Sequence, residues 1–525
     1  MKEETVTINP QISDFILVNA NIITLEPARQ RASLVAVRDG KVLYIGDTSD
    51  LKELKGSKSR VINCHGKTVL PGFNDAHCHF FAFAESLTSC SFSPKEVRSI
   101  SDIQENIRRF AHELPPGRWI RARAYDEFYL REKRHPTRWD MDKATSAHPV
   151  RLTHRSGNAH VLNSLAMDIM RISNETPEPA GAIIDRELST GEPNGVLFGM
   201  GPHLSKILPS MNDDDQNPGV KQAGQQLLSL GITSIQDASS HNDINRWKLF
   251  QQWKTNGDLR CRVKMMLGFE AFKSYREVDF SHTLGRDQLG ICGVKILLSE
   301  TTGRLHPTQS ELNEMVSEIH RSGFQVAIHA IEEPTVEAAC TAFDYALRRS
   351  PRSDHRHRIE HCSVCPPHLS MKLASLGIMV ATQPSFIYYN GDRYLRTVPG
   401  QQLEHLYPIA TLMKNGIKVC GGSDCPVVPP DPMFGIYSAV SRMSETGETV
   451  LPEERIPPLE AIRMYTEYAA RTSFEETIKG TIIQGKLADM VVLSGDPTKV
   501  PAEEIKAIKV EMTILNGEVV WDEMG

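Results

Sequence analysis

The two ends of the chain share one hydrophobic pattern. Each end carries short apolar runs rich in Val, Ile and Leu, separated by glycine-containing turns that are typical of β-hairpins. These runs span residues 15–21 and 33–46 at one end, and residues 488–496 and 510–521 at the other. Because β-rich segments at both termini flank a different middle, the pattern predicts one small β-sandwich domain built from residues 1–68 and 475–525.

The middle of the chain alternates between apolar strand-like runs and helical runs. Helices are expected at 222–230, 247–254, 309–321, 334–348, 367–376 and 409–415. Strands are expected at 69–79, 232–237, 261–269, 293–299, 324–330, 357–362, 378–384 and 417–424. Eight strands with helices between most of them are typical of a (β/α)8 TIM barrel, here predicted from residues 69–81 and 218–474. A doubly wound open sheet is the alternative architecture.

Residues 82–217 interrupt this alternation. They contain Pro115-Pro116-Gly117 and the polar stretch 211–218. A segment of this length inside a compact domain needs secondary structure of its own. The sequence therefore predicts an α/β insertion subdomain that follows the first barrel strand and lies over the barrel mouth.

Composition limits the classes of function. The 525 residues carry a formal net charge of -6 and a pI of about 6.4, which gives no reason to expect nucleic acid or an anionic membrane as a partner. The N-terminus lacks a signal-peptide pattern and no apolar run approaches membrane-spanning length. The ten cysteines show no disulfide framework, so we expect a cytoplasmic protein. A small-molecule substrate is the expected partner, and a homodimer is left open.

Two histidines end the first predicted barrel strand. His77 and His79 are two residues apart, so on a strand their imidazoles face the same side. Four more chemically active residues lie at or near the ends of separate later strands: Lys295, His329, His361 and Asp424. The carboxyl ends of barrel strands meet at one face, where TIM-barrel active sites form. The order of these residues favours the barrel over the open sheet, and together they indicate a divalent metal site.

Lys295 lies inside an apolar strand, where an unpaired ammonium is costly. Burial lowers the pKa of a lysine and favours its neutral amine. A neutral amine can add carbon dioxide to form a carbamate, whose two oxygens can bridge two metal ions. The alternative is an ion pair between Lys295 and a nearby acid such as Glu300.

The chain resembles the amidohydrolase superfamily, and in particular its YtcJ-like branch, which includes N-substituted formamide deformylases. The matching segments are Leu-Pro-Gly-Phe-Asn-Asp-Ala-His-Cys-His at 70–79, Arg-Ile-Glu-His at 358–361, Gly-Ser-Asp-Cys-Pro-Val at 422–427 and Gly-Lys-Leu-Ala-Asp-Met-Val-Val-Leu at 485–493. Parts of the insertion are also similar to that branch, and the resemblance spans nearly the whole chain.

The resemblance implies a ligand set and a mechanism. His77, His79 and Asp424 would hold one zinc ion, His329 and His361 would hold a second, and carboxylated Lys295 would bridge them. A metal-activated hydroxide would attack a carbonyl carbon. Asp424 would accept the proton and pass it to the leaving nitrogen, and His329 or His361 would polarise the carbonyl if only one metal were bound. The same ligands accept other divalent ions.

The substrate-binding candidates rest on position alone. His154, Asn158 and His160 lie in the insertion, Arg304 follows the fourth strand and Gln383 ends the seventh. Two segments depart from the branch: Ser-Glu-Thr-Thr-Gly at 299–303 lacks its usual acid, and Asn158 stands where the branch often has histidine. Both changes are expected to lie near the substrate.

The leading hypothesis is a metal-dependent hydrolase of a carbon–nitrogen bond other than a peptide bond, with a linear amide or N-substituted formamide as substrate. A second hypothesis keeps the site but takes a cyclic amide, carbamate or ester, or deaminates a ring. A third, of a different class, is an inactive barrel that acts as a binding or regulatory protein. Metal analysis combined with a hydrolysis screen separates the three.

Overall fold

The centre of the molecule is a parallel eight-stranded barrel. In a computed structural model, the described residues are 12–201, 203–204, 218–274 and 284–523. Each barrel strand pairs in parallel with the next along the chain. The strands are β1 (Phe73–Cys78), β2 (Ile232–Asp237), β3 (Arg262–Gly268), β4 (Leu289–Leu297), β5 (Val326–Ala330), β6 (Arg358–His361), β7 (Met379–Thr382) and β8 (Val419–Gly421).

The barrel closes between its last and first strands. The backbone N–H of Asp424 donates to His77 O at 2.7 Å, and that of His79 donates to Cys425 O at 2.9 Å. These bonds join the ends of β8 and β1 and bring the segments that follow them together. The barrel expected from the alternating pattern is therefore confirmed, and the open sheet is excluded.

Helices surround the barrel and supply the outer half of its core. Those that pack between or beyond the strands are Phe80–Thr88, Pro218–Ser229, Ile244–Asn256, Phe269–Lys273, Gln309–Arg321, Glu333–Arg349, Pro367–Ser375, Ser385–Thr397, Gly400–Leu403, Ile409–Lys414, Pro432–Ser441, Pro458–Met464 and Glu467–Thr472. Local sequence sets their ends, as where Thr308 and Glu311 form a capping box before Gln309–Arg321. One apolar cluster joins helix and strand residues from β1 to β8.

The terminal segments form two sheets with a common core. One sheet contains Lys41–Gly46, Leu34–Arg38, Ser13–Val18 and Lys55–Asn63 in that order. The other contains Glu518–Asp522, Val510–Leu515, Met490–Leu493, Thr68–Pro71, Asn21–Glu26 and Arg29–Ala32. Phe15 and Val35 of the first sheet pack in one cluster with Val69, Met490 and Ile514 of the second, as the predicted β-sandwich requires. Residues 1–11 and 524–525 of this predicted domain lie outside the described residues.

The predicted strand 69–79 is in fact two strands. Thr68–Pro71 pairs with Met490–Leu493 in the terminal sheet, whereas Phe73–Cys78 is β1 of the barrel. Gly72 lies between them, and a Cβ at this position would meet Thr233 Oγ1. A continuous apolar run hides such a change of sheet. We propose Gly72 as the boundary between sandwich and barrel.

The insertion contains its own mixed sheet. Its strands, in spatial order, are Ile183–Arg186, Pro193–Phe198, Ala159–Leu162, Val150–His154, Ile120–Tyr125 and Cys90–Ser91. Its helices are Ile100–Glu113, Arg138–Asp142 and Ser164–Met170. The preceding helix Phe80–Thr88 packs on the barrel through Phe80 and Phe250, so we place the start of the insertion after it. The predicted end of the insertion, 205–217, lies outside the described residues.

The insertion contacts the barrel on both sides of its mouth. Arg123 donates from Nη2 to Pro426 O at 3.0 Å, beyond β8. On the opposite side, a Cβ on Gly181 would lie 2.6 Å from His306 Cδ2, so this loop packs against the segment after β4. Arg393, on the helix after β7, pairs with Asp126 at 3.0 Å. We therefore propose that the insertion sheet extends across the mouth, a placement that these three contacts support.

A buried ion pair links the barrel to the terminal domain. Arg262 on β3 contacts Asp489 through Nε at 2.6 Å and Nη2 at 3.0 Å, and both side chains are almost fully buried. We expect Asp489→Ala to destabilise the protein by about 3–5 kcal/mol, because the buried guanidinium loses its contacts at Nε and Nη2 and keeps, at Nη1, the more exposed Asp287. Urea unfolding measures this. The exposed pair Arg260–Glu518 supplies the control Arg260→Ala, expected to cost at most about 1 kcal/mol; equal losses would contradict the prediction.

Candidate metal centre

Two histidines from the end of β1 converge on one carboxylate. His77 lies within β1 and is fully buried, and His79 directly precedes the helix Phe80–Thr88. Their Nε2 atoms lie 3.4 Å and 3.0 Å from Asp424 Oδ1. The two-residue spacing thus brings both imidazoles to one point, as alternation on a strand predicts.

Three of the imidazoles form a hydrogen bond at Nδ1, on the side of the ring away from Nε2. His77 Nδ1 bonds the carboxylate of Glu360, His79 Nδ1 bonds Ser239 Oγ at 3.0 Å, and His361 Nδ1 bonds Gln383 Oε1 at 2.8 Å. A hydrogen bond at one ring nitrogen fixes the tautomer and leaves the other nitrogen as a lone-pair donor. This arrangement leaves Nε2 of all three rings available to a metal ion.

Asp424 is held as a carboxylate at the centre of the group. It follows β8 with a positive φ of 55°, and this bend accompanies the backbone bond from its N–H to His77 O. Burial raises the pKa of Asp424, but the close contacts with the His77 and His79 rings and the nearby His361 imidazole outweigh burial. The pKa is therefore held well below its ordinary value. Burial and Lys295 lower the pKa of His77, but Glu360 and Asp424 outweigh them, and its pKa is raised.

His329 and His361 form the other side of the group. Their ring centroids are 4.4 Å apart, and the rings of His361 and His77 are 4.8 Å apart. His361 has a positive φ of 74° at the end of β6. Burial lowers the pKa of His361 to about 3 and the pKa of His329 well below its ordinary value. Both are therefore neutral imidazoles at physiological pH, the form that binds metal.

Lys295 lies on β4 with its ammonium group buried. Its Nζ has no hydrogen-bond partner among the described residues, and the side chain is 3% exposed. Burial lowers its pKa to about 8, against the opposing charges of Glu360 and Asp424. The alternative ion pair with Glu300 is not formed in the described structure, where burial and Glu332 instead raise the pKa of Glu300. Lys295 is therefore a buried amine that lacks an ordinary structural partner.

The donor set fits a divalent cation. The ligand atoms of His77, His361 and Asp424 lie within 4.8 Å of one another. In the described part of the chain, His77 Nε2 and Lys295 Nζ are buried without a hydrogen bond, a costly arrangement that a bound cation and a modified lysine would relieve. Four imidazoles and a carboxylate are the ligand types that zinc and similar ions take.

The sequence analysis missed the residues that hold these ligands. Glu360 bonds His77 and pairs with Arg358, whose Nη1 donates to Gln236 Oε1 at 2.6 Å. Both Arg358 and Glu360 are fully buried on β6. Two charged residues at i and i+2 within an otherwise apolar strand could have indicated this network, because buried charges need partners.

The five substrate-binding candidates have different surroundings. Gln383 is buried behind His361 and positions that ring. His154 Nε2 lies 2.9 Å from Glu127 within a cluster that also contains Asp126 and Arg393. Asn158 and Arg304 are exposed. The structure places His160, by contrast, in the insertion sheet with 2% exposure.

The sequence matches one family model over most of its length. Residues 60–521 match the amidohydrolase family model Amidohydro_3. The chain is 27% identical to an N-substituted formamide deformylase of Arthrobacter pascens, with 98% of this chain and 99% of the relative covered. It is 26% identical to a putative amidohydrolase, YtcJ, of Bacillus subtilis, covering 95% and 98%.

A solved structure has the same fold. An uncharacterized metal-dependent hydrolase from Pyrococcus horikoshii aligns with a TM-score of 0.73 at 22% identity, covering 93% of this chain and 99% of the other. Within the described residues, no helix is both long and apolar enough to span a bilayer. The barrel carries a cluster of side chains that could hold a metal ion. Together with the family match, it defines the class of protein as a hydrolase that acts on carbon–nitrogen bonds. The chain belongs to the amidohydrolase family, in agreement with the resemblance to the YtcJ-like branch.

We expect Gln383→Leu to weaken metal binding about 10–100-fold, because His361 loses the bond that fixes its tautomer. Competition with a chelator measures the affinity. The control Gln309→Leu removes a half-buried glutamine that bonds Asn313 and Ala338 on outer helices. Equal metal affinity in both variants would contradict the role of Gln383.

Proposed function

We propose that this protein hydrolyses a linear amide, in particular an N-substituted formamide, with zinc held by His77, His79, Lys295, His329, His361 and Asp424. The observation that carries the proposal is the convergence of His77, His79 and His361 on Asp424, with each ring fixed from behind. The deformylase relative supports the substrate class, since it aligns over nearly the whole chain.

In this proposal, bound zinc supplies Lewis acidity that acidifies a water and polarises the substrate carbonyl. Asp424 is ionised in the resting site, so its Oδ1 can accept a proton as the water attacks. The protonated carboxyl then donates that proton to the amide nitrogen as the carbon–nitrogen bond breaks. The products are a carboxylic acid and an amine. The burial of the group limits competing solvent and strengthens these electrostatic effects.

Lys295 is proposed to act as a carbamate. The ammonium first loses one proton, and the neutral amine nitrogen then forms a bond to the carbon of CO2 and releases a second proton. The two losses together convert a cation into an anion. A pKa of about 8 makes this accessible, because a lower pKa leaves more of the amine neutral at physiological pH. The unpartnered Nζ supports the proposal, and an anionic bridge would offset positive charge from two metal ions.

The alternative enzyme functions would use the same residues of the metal centre. Hydrolysis of a cyclic amide, carbamate or ester, or deamination of a ring, would use the same carboxylate and imidazoles. The cytoplasmic location is also a proposal, supported by ten free cysteines, nine of which are buried. A homodimer stays a prediction from the sequence.

We expect chelation to abolish hydrolysis and zinc to restore it. Protein grown without added metal is assayed for metal content and for hydrolysis of N-substituted formamides, then dialysed against a chelator and reassayed with zinc, manganese or iron. Activity that survives complete removal of metal from folded protein would overturn the proposal. A metal-loaded protein that binds amides without hydrolysing them would favour the inactive binding protein.

A further inference from the structure

One face of the insertion sheet is turned towards the barrel. Residues alternate between the two faces of a strand. Ala122, Leu152 and Val161 pack against the helix Ile100–Glu113 in one apolar cluster. The neighbouring positions Arg121, Arg123, Arg151, Thr153 and His160 therefore share the opposite face, and the strand registers place them side by side.

Contacts from this face identify what lies opposite. Arg123 bonds Pro426 O, two residues beyond Asp424, and Arg121 bonds Glu85 Oε1 at 2.9 Å on the helix that begins after His79. The strand Ala159–Leu162, which carries His160, lies between the Arg123 anchor and the Gly181–His306 contact on the other side of the mouth. His160 thus lies on a strand between these two contacts with the barrel, and a Cβ on Gly201 would lie 3.4 Å from its Nε2.

The barrel-facing side carries excess positive charge. It presents three guanidinium groups, from Arg121, Arg123 and Arg151, and Glu85 is already paired with Arg121. Arg151 forms no ion pair within the described residues, and its buried Nε has no hydrogen-bond partner. A guanidinium taken out of water without a counter-charge is costly.

His160 adds a second unpartnered donor at the same place. It lies diagonally across the strand pair from Arg151 and directly opposite Thr153. Its Nδ1 is 3.3 Å from Thr153 Oγ1, and its buried Nε2 has no partner. Burial and Arg151 keep the ring neutral by lowering its pKa well below the ordinary value. In the tautomer in which the Thr153 hydroxyl donates to Nδ1, Nε2 carries the hydrogen and can donate to a ligand.

We propose that Arg151 and His160 bind a carboxylate on the substrate, so that the amide hydrolysed at the metal centre bears an anionic substituent. A carboxylate accepts from a guanidinium and from an imidazole N–H at once, and would satisfy both buried atoms and the excess charge. The inference rests on the proposed function, since it names the class of amide. Arg123 supports the site by anchoring the sheet to Pro426.

A matched pair of substrates tests the proposal. N-formylphenylalanine and N-formyl-2-phenylethylamine differ only in the carboxylate. We expect the wild type to prefer the anionic compound, and Arg151→Met to lower kcat/KM for it about tenfold to a hundredfold through KM, with little change for the neutral one. The control Arg108→Met removes an exposed arginine from the helix on the other face and should keep the preference.

His160 gives an independent variant pair if Arg151→Met folds poorly. His160→Phe removes the donor and should lose the preference, whereas His160→Gln keeps a donor and should restore part of it. Calorimetric binding of both compounds to the metal-loaded protein separates this inference from the proposed function. If the protein prefers to bind the anionic compound but hydrolyses neither, the proposed amide hydrolysis is wrong and the carboxylate site at Arg151 and His160 is supported. Equal binding of both compounds, or a preference unchanged in every variant, would overturn the site.

Discussion

Asp424→Asn is expected to lower kcat about 10²–10⁴-fold, the range that a positioned acid–base group contributes. Asparagine has nearly the same shape but cannot take a proton from the attacking water or return it to the leaving nitrogen. Asp424 is well suited to this exchange, because contacts with His77 and His79 keep it ionised in spite of burial. Steady-state kinetics on a formamide substrate provide the measurement.

Metal content must be followed in the same Asp424 variant, since this carboxylate is also a predicted ligand. We expect the loss of activity to persist in excess zinc. The control Asp168→Asn changes an exposed aspartate of the insertion helix Ser164–Met170 and should retain wild-type kinetics. Full recovery of Asp424→Asn with added zinc would show that Asp424 binds metal but transfers no proton.

Lys295→Ala is expected to lose about one equivalent of metal or more. Removal of a residue that only supports a metal ligand typically costs about 10–100-fold in affinity or activity. Lys295 is a predicted ligand itself, so we expect a larger loss in kcat/KM. The physical reason is charge. A carbamate on Lys295 would be an anion between two cations. Alanine leaves Asp424 as the single anionic group of the predicted ligand set, since the four imidazoles carry no negative charge. Elemental analysis and kinetics together measure the effect.

Replacement groups distinguish the carbamate from a lysine with a structural role. Lys295→Glu should retain more metal than Lys295→Ala, because its carboxylate partly imitates the carbamate. Added formate or acetate should restore some activity to Lys295→Ala for the same reason. The control Lys264→Ala removes a lysine of β3 that pairs with Glu475 rather than with the metal-binding group. Identical metal content in Lys295→Glu and Lys295→Ala would argue against an anionic bridge.

The sequence was informative wherever chemistry coincides with local pattern. Each of the six predicted ligands lies at or near the end of a barrel strand. The order of strands in a TIM barrel follows their order in the chain. The alternation of helix and strand in the sequence was therefore enough to predict that His77, His361 and Asp424 meet at one face of the barrel. What could not be predicted depends on pairing between distant segments. The division of the run 69–79 at Gly72 depends on Met490–Leu493, some four hundred residues away.

Candidate residues in the insertion show the same limit. Asn158 and His160 are two positions apart and looked equivalent in the sequence, yet the first is exposed and the second is buried. Their difference follows from where the strand Ala159–Leu162 begins and what pairs with it. Gln383 was expected to line the pocket, but its bond to His361 is fixed by the neighbouring strands β6 and β7.

The measurement that tests the central claim most directly is a crystal structure of metal-replete protein with anomalous diffraction at the zinc edge. We expect one or two anomalous peaks about 2.0–2.2 Å from the Nε2 atoms of the histidines and the carboxylate of Asp424, with density for a carboxylated Lys295 between them. An active crystal with no peak at this site would contradict the account. An unmodified Lys295 paired with Glu300 would contradict the binuclear centre and leave a mononuclear site.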